Sequence, residues 1–135
     1  MKTAVIFWSG TGNTEQMAQA VAEGAGVEAV SVSDFSGDVA ELDAVAFGCP
    51  AMGAEVLEES EFEPFFAANE SKLSGKKVAL FGSYGWGDGE WMRDWASRVT
   101  AAGATLVNGE GLIVNETPDD AAIENCKALG AELVK

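Results

Sequence analysis

Ser9-Gly10-Thr11-Gly12-Asn13-Thr14 sets three hydroxyls, one amide and two glycines directly after an apolar run and directly before a helical pattern. Residues of these types at this spacing suit the binding of a phosphate. Gly10 and Gly12 let the backbone turn tightly and approach a ligand. Ser9, Thr11, Asn13 and Thr14 add side-chain donors to the free N–H groups of a helix N-terminus. No lysine or arginine occurs between Lys2 and Lys72, so an anion here is held by neutral donors. Hydrogen bonds to a charged acceptor contribute roughly 1.5 to 3 kcal/mol each, enough without a cation. The same residues also suit a bare helix-capping loop with Asn13 as the cap, and the loop by itself does not choose. GxxxxGK[ST] is excluded for want of its lysine, and Glu15 stands where GxGxxG needs its third glycine.

The elements around this loop alternate. Strand-like runs occur at Thr3 to Trp8, Val27 to Val32, Ala44 to Cys49, Lys77 to Gly82 and Thr105 to Val114. The third and fourth are apolar without alternation, as strands covered on both faces are. Between the runs lie helical patterns. Met17, Ala18, Val21 and Ala22 follow Asn13. Ser60 and Glu63 resemble a capping box. Asp88 opens a stripe of Trp91, Trp95 and Val99, and Thr117 with Pro118 reads as a cap and first helical residue. The expectation is one α/β domain over residues 1–135, a doubly wound, five-stranded parallel sheet with helices on both faces. Its ligand belongs at the carboxyl edge, where successive crossovers go to opposite faces. Five strands favour the order 2-1-3-4-5. The loops Ser9 to Thr14, Pro50 to Glu55 and Ser83 to Gly89 leave that edge.

Composition narrows the function. The chain has 135 residues, 47% of them hydrophobic, and its 22 acidic against 8 basic residues give a net charge of −14. That charge argues against nucleic acid or an anionic membrane and favours basic protein partners. Cys49 and Cys126 form no CxxC pair and there is no histidine, so no disulfide framework or metal site is expected. No apolar run reaches secretory or membrane-spanning length, which makes a cytoplasmic location the expectation.

Three stretches in order, Trp8 to Glu15 (WSGTGNTE), Cys49 to Phe65 (CPAMGAEVLEESEFEPF) and Gly75 to Trp95 (GKKVALFGSYGWGDGEWMRDW), resemble the short-chain flavodoxins. The resemblance covers almost the whole chain. It implies a monomeric carrier that holds FMN noncovalently and moves single electrons between larger redox enzymes, cycling between semiquinone and hydroquinone without substrate turnover of its own. The phosphate of FMN then belongs in the Ser9 to Thr14 cradle. By the same resemblance Trp86 stacks on the outer face of the ring, Met52 lies against the inner face, and Glu55 accepts a hydrogen bond from flavin N3–H. Ala51, Ser83, Tyr84, Gly85, Gly89 and Asn115 complete the expected contacts, with Gly85 and Gly89 as backbone donors and Glu116 beside the ribityl chain. Trp8, Trp91 and Trp95 are assigned to packing.

The turn Met52-Gly53-Ala54-Glu55 carries the expected redox switch. One-electron reduction with protonation converts flavin N5 from an acceptor to a donor, so a Gly53 carbonyl free to rotate toward it stabilises that state. Glycine crosses the steric boundaries involved, where a β-carbon adds roughly 1 to 2 kcal/mol. Flavodoxins often carry a short polar residue where Ala54 stands. Glu58, Glu59, Glu61 and Glu63 read singly as solvated acids, and together as charges that lower the potential and steer a basic partner. Two rival readings remain: an FMN-dependent NAD(P)H reductase of a small acceptor such as a quinone, and a phosphoacceptor signalling domain. The first needs a nicotinamide site, for which the chain shows no insertion. The second needs acids where Ser9 and Cys49 stand.

Overall fold

A computed structural model describes residues 2–135. Strands β1 (Thr3–Phe7), β2 (Ala29–Ser31), β3 (Ala44–Gly48), β4 (Lys77–Tyr84), β5 (Thr105–Leu106) and β6 (Leu112–Asn115) form one sheet whose pairings are all parallel. The order is β2-β1-β3-β4-β5, and β6 also pairs with β4. The expected order 2-1-3-4-5 is therefore present. Helices α1 (Asn13–Ala25), α2 (Phe62–Asn69), α3 (Glu90–Ala101) and α4 (Asp120–Leu133) complete the fold.

Successive strand residues point to opposite faces, and the sequence fills the two faces differently. Val5, Phe7, Ala44, Ala46 and Ala79 pack with Met17, Val21, Cys126 and Leu129 of α1 and α4. Small strand residues let these helices come close. Gly24 and Gly130 stand at the crossing, where a β-carbon on Gly24 would strike the Lys127 carbonyl oxygen and one on Gly130 the Val21 carbonyl oxygen. On the other face Ile6, Val45, Phe47 and Leu80 pack with Phe62, Phe66, Trp91 and Trp95 of α2 and α3. Trp95 meets the rings of Phe62 and Phe66 edge-on at 5.4 and 5.7 Å. Trp91 and Trp95 are each 1% exposed, so their assignment to packing holds. Arg98 lies over the Phe66 ring and pairs with Glu63 and Glu70, tying α3 to α2.

The run Thr105 to Val114 is not one strand. Asn108 at φ 64° and Gly109 at φ 75° take left-handed backbone between β5 and β6, which ends the ladder and restarts it further along β4. Asparagine and glycine are the residues that adopt this conformation at least cost. Between β2 and β3 the chain makes only a short 3-10 turn, Val39–Glu41, capped by Asp38.

Four of the expected helix starts are also corrected. Asn13 is the first residue of α1; Gly12 at φ 97° holds the cap position, and Ser9 Oγ accepts the N–H groups of Gly12 at 3.1 Å and Glu15 at 3.2 Å. Ser60 and Glu63 form no capping box, because Glu58 satisfies the start of α2 and Glu63 is held by Arg98. Asp119, not Thr117, caps α4 by accepting the Ala122 N–H at 2.8 Å. Gly89, one residue after Asp88, occupies the cap of α3.

Candidate functional site

The carboxyl ends of β1, β3, β4 and β6 open on a cavity of about 410 Å³, within the roughly 300 to 1,000 Å³ usual for small-molecule and cofactor sites. The first loop contributes Gly10, Thr11 and Asn13, the second Pro50, Ala51 and Met52, the third Ser83, Tyr84 and Gly85. Parallel pairing of β1 with β3 and of β3 with β4 is what puts these loops side by side.

In the first loop, Ser9 Oγ accepts two backbone N–H groups, of Gly12 and Glu15. Both acceptor positions of the hydroxyl are thus used and its own proton is left to donate elsewhere. Thr14 is 1% exposed, and its Oγ1 accepts the Ser83 N–H at 3.3 Å, joining the first loop to the third. Ser83 Oγ in turn donates to the Glu116 carbonyl at 2.7 Å. Tyr84 O accepts from Glu116 N–H at 2.7 Å and Asn115 Nδ2 at 3.2 Å. Glu116 sits at φ 59°, a strained conformation for a residue with a β-carbon. Those bonds hold it there.

The second loop is a tight hairpin. Met52 N–H donates to the Val56 carbonyl at 2.8 Å and Val56 N–H to the Met52 carbonyl at 2.9 Å. Left-handed backbone falls on Gly53 (φ 52°) and Glu55 (φ 54°), so Ala54 is spared it. No atom lies within 4 Å of where a Gly53 β-carbon would be, and conformation alone dictates glycine at that position. Behind the hairpin stands Glu58. Expected as a solvated acid, it is 6% exposed, and its carboxylate takes the Ser60 hydroxyl and the N–H groups of Ser60, Glu61 and Phe62. Its own N–H donates to Cys49 Sγ at 3.4 Å, pinning the hairpin base to the end of β3.

Burial alone would raise the Glu58 pKa, but the Ser60 hydroxyl and the three N–H donors outweigh it and hold the carboxyl below the ordinary 4.5. A depressed carboxyl stabilises the fold fully above its unfolded value and loses that contribution as pH falls through the lower folded value. E58Q is therefore expected to cost about 1 kcal/mol at pH 7 and to flatten the fall in stability below pH about 4.5. Urea unfolding at stepped pH measures both; an unchanged acid slope would deny Glu58 this role.

In the third loop Trp86 is 65% exposed between Gly85 and Gly87. Glu55 Oε1 accepts the Asp88 N–H at 3.1 Å and Oε2 the Trp91 N–H at 3.3 Å, which places this carboxylate over the start of α3. A β-carbon on Gly87 would collide with it.

Of the expected contacts, Gly10, Thr11, Asn13, Ala51, Met52, Ser83, Tyr84 and Gly85 line the cavity. Ser9, Gly12 and Thr14 support it from behind, Gly53, Glu55 and Trp86 sit on the adjoining loops, and Asn115 ends β6. Gly89 is set apart at the cap of α3, against a second cavity between α3 and residues 109–113. Trp8 corrects an expectation. It is half-buried, lines the site and donates from Nε1 to Glu61 Oε1 at 3.3 Å. Its side chain follows Ile6 on the α2 face and packs against that core, and one residue beyond β1 that face opens into the cavity. Pro50 and Thr117 were likewise missed, although Pro50 lay inside a loop already singled out. The two thiols are buried, and burial pushes Cys49 up to about 12 and Cys126 up to about 11, so both stay protonated at neutral pH.

A family model described as flavodoxin matches residues 5–130. The chain belongs to the flavodoxin family. It is 51% identical to a flavodoxin of Megasphaera elsdenii over 97% of each chain, and 49% identical to one of Clostridium beijerinckii over 96% of each. The solution structure of two-electron reduced Megasphaera elsdenii flavodoxin superposes with a TM-score of 0.85 at 46% identity, covering 98% of both chains. Flavodoxins are FMN-binding electron carriers rather than enzymes, and that is the activity of this chain.

The residues present fit the group. FMN requires an anion cradle beside a flat apolar slot, and the loops combine neutral donors with Met52 and Trp86, which are 37% and 65% exposed at the same edge. Among the described residues no helix is long and apolar enough to cross a membrane, and no group of three or more ligating side chains could hold a metal ion.

Proposed function

We propose that the protein carries single electrons at low potential on FMN held in the cavity between the three loops, and that it docks basic redox proteins at the acidic rim. The observation that carries this reading is the meeting of a cation-free donor loop, a glycine-centred hairpin and an exposed tryptophan at one sheet edge. When bound, FMN supplies the one-electron chemistry. Gly10, Thr11, Gly12 and Asn13 hold its phosphate; Met52 and Trp86 flank the ring. Gly53 keeps a peptide free to reorient beside N5, while Glu58 fixes the base of the hairpin so that motion is confined to its tip. Glu55 accepts from the ring's N3–H while remaining bonded to the start of α3, since a carboxylate has acceptor sites for both.

Reconstitution followed by stepwise reduction tests the reading. A yellow protein that turns blue at one electron supports it. Oxidation of NADPH without a second enzyme would favour the reductase, and refusal of FMN would end both.

The acids add a prediction with two opposite signs. Glu59, Glu61, Glu90 and Glu116 are exposed on the segments that follow the cavity-bearing strands β3, β4 and β6. They repel the phosphate dianion and attract a basic partner. Stopped-flow rates for FMN association are expected to rise severalfold from about 10 to 200 mM salt, where the Debye length falls from roughly 30 to 7 Å, while rates for a basic partner fall. Rates of the same sign for both would remove the acidic rim from the account.

A further inference from the structure

We propose that Thr117 is a positioning residue for the phosphate cradle: its hydroxyl donates to Asn13 Oδ1 and so turns the Asn13 NH2 group toward the phosphate ester. The inference rests on reading the cavity as an FMN site.

Thr117 Oγ1 lies 3.2 Å from Asn13 Oδ1, and both residues line the same cavity. Neither side chain is needed by its own helix. Asp119 caps α4, and Ser9 with Gly12 starts α1, so the threonine hydroxyl and the asparagine amide are both free for the site. A carboxamide is two-ended, with an acceptor oxygen opposite a donor nitrogen, and its neighbours decide which end faces where. An Asn13 turned the other way would set its oxygen against phosphate oxygens. In a loop with no lysine or arginine every donor counts, and no cation is present to offset a misdirected dipole. The Thr117 hydroxyl meets the one Asn13 atom that must point away from the anion.

The test compares equilibrium dissociation of FMN and of riboflavin, which lacks the phosphate, from the full-length protein. T117V is expected to weaken FMN about five- to tenfold and riboflavin less than about twofold, with T117S restoring FMN affinity to within about twofold. With Asn13→Ala already present, T117V is expected to cost nothing further. Equal losses for both flavins would mean a general structural role and overturn the proposal, as would unchanged FMN binding or additive losses in the double variant. A parent chain that binds neither flavin would overturn the site reading itself, and this inference with it.

Discussion

G130A is expected to lower stability by about 3 kcal/mol and the melting temperature by roughly 10 °C. The added methyl meets the Val21 carbonyl oxygen, a backbone atom of α1 that no rotamer change can move. Either α1 and α4 separate or the sheet beneath them distorts. Both outcomes open the layer built from Met17, Val21, Leu129 and Leu133, each at most 3% exposed. G24A is expected to act alike, since its methyl meets the Lys127 carbonyl from the opposite helix. Alanine favours a helix interior by roughly 1 kcal/mol over glycine, so the sign of the result decides whether packing or propensity dominates. A stabilised G130A would show that the helices part without cost. The crossing lies at the end of α1 remote from the cradle. FMN affinity should accordingly fall less than stability does.

W86A is expected to weaken FMN binding about ten- to a hundredfold, the effect of removing one aromatic stacking surface worth roughly 1 to 3 kcal/mol. W86F should recover most of the loss, because a phenyl ring keeps a flat face. The melting temperature of the flavin-free protein should hardly change, because Trp86 is 65% exposed and packs little against the fold. That separation is the useful feature of the variant. Affinity lost together with intrinsic stability would make Trp86 a structural residue, and undiminished affinity would place the ring elsewhere. Flavin fluorescence titration and calorimetry of the flavin-free protein give the two readings.

Much of this site was legible before any coordinate. The composition of Ser9 to Thr14, the glycines around Trp86 and the short turn at Gly53 are local signals. Each depends on what a few adjacent backbone units can do. The strand order followed from apolar runs and crossover geometry, which are also carried by contiguous residues. Misreadings came where a side chain had several partners within reach. Glu58 sits in a run of acids that looks uniformly solvated, yet it is buried against the start of α2, because the hairpin ahead of it reverses the chain and points it inward, and Glu63 of the same run is held by Arg98. Trp8 reads as the last residue of a buried strand, and whether that end faces core or cavity depends on how far β3 and β4 extend beside it.

The fold and the three contributing loops were determined by the sequence alone, through short-range pattern and backbone permissiveness, while family and cofactor class came from the resemblance of three stretches to the short-chain flavodoxins. The tertiary structure decided which group serves the start of each helix, that Glu55 lies over α3, that Glu58 anchors the hairpin, and that Thr117 meets Asn13. These pairings join residues up to 104 positions apart. A donor's partner at that range is selected by the packing of sheet and helices, and no local preference encodes it.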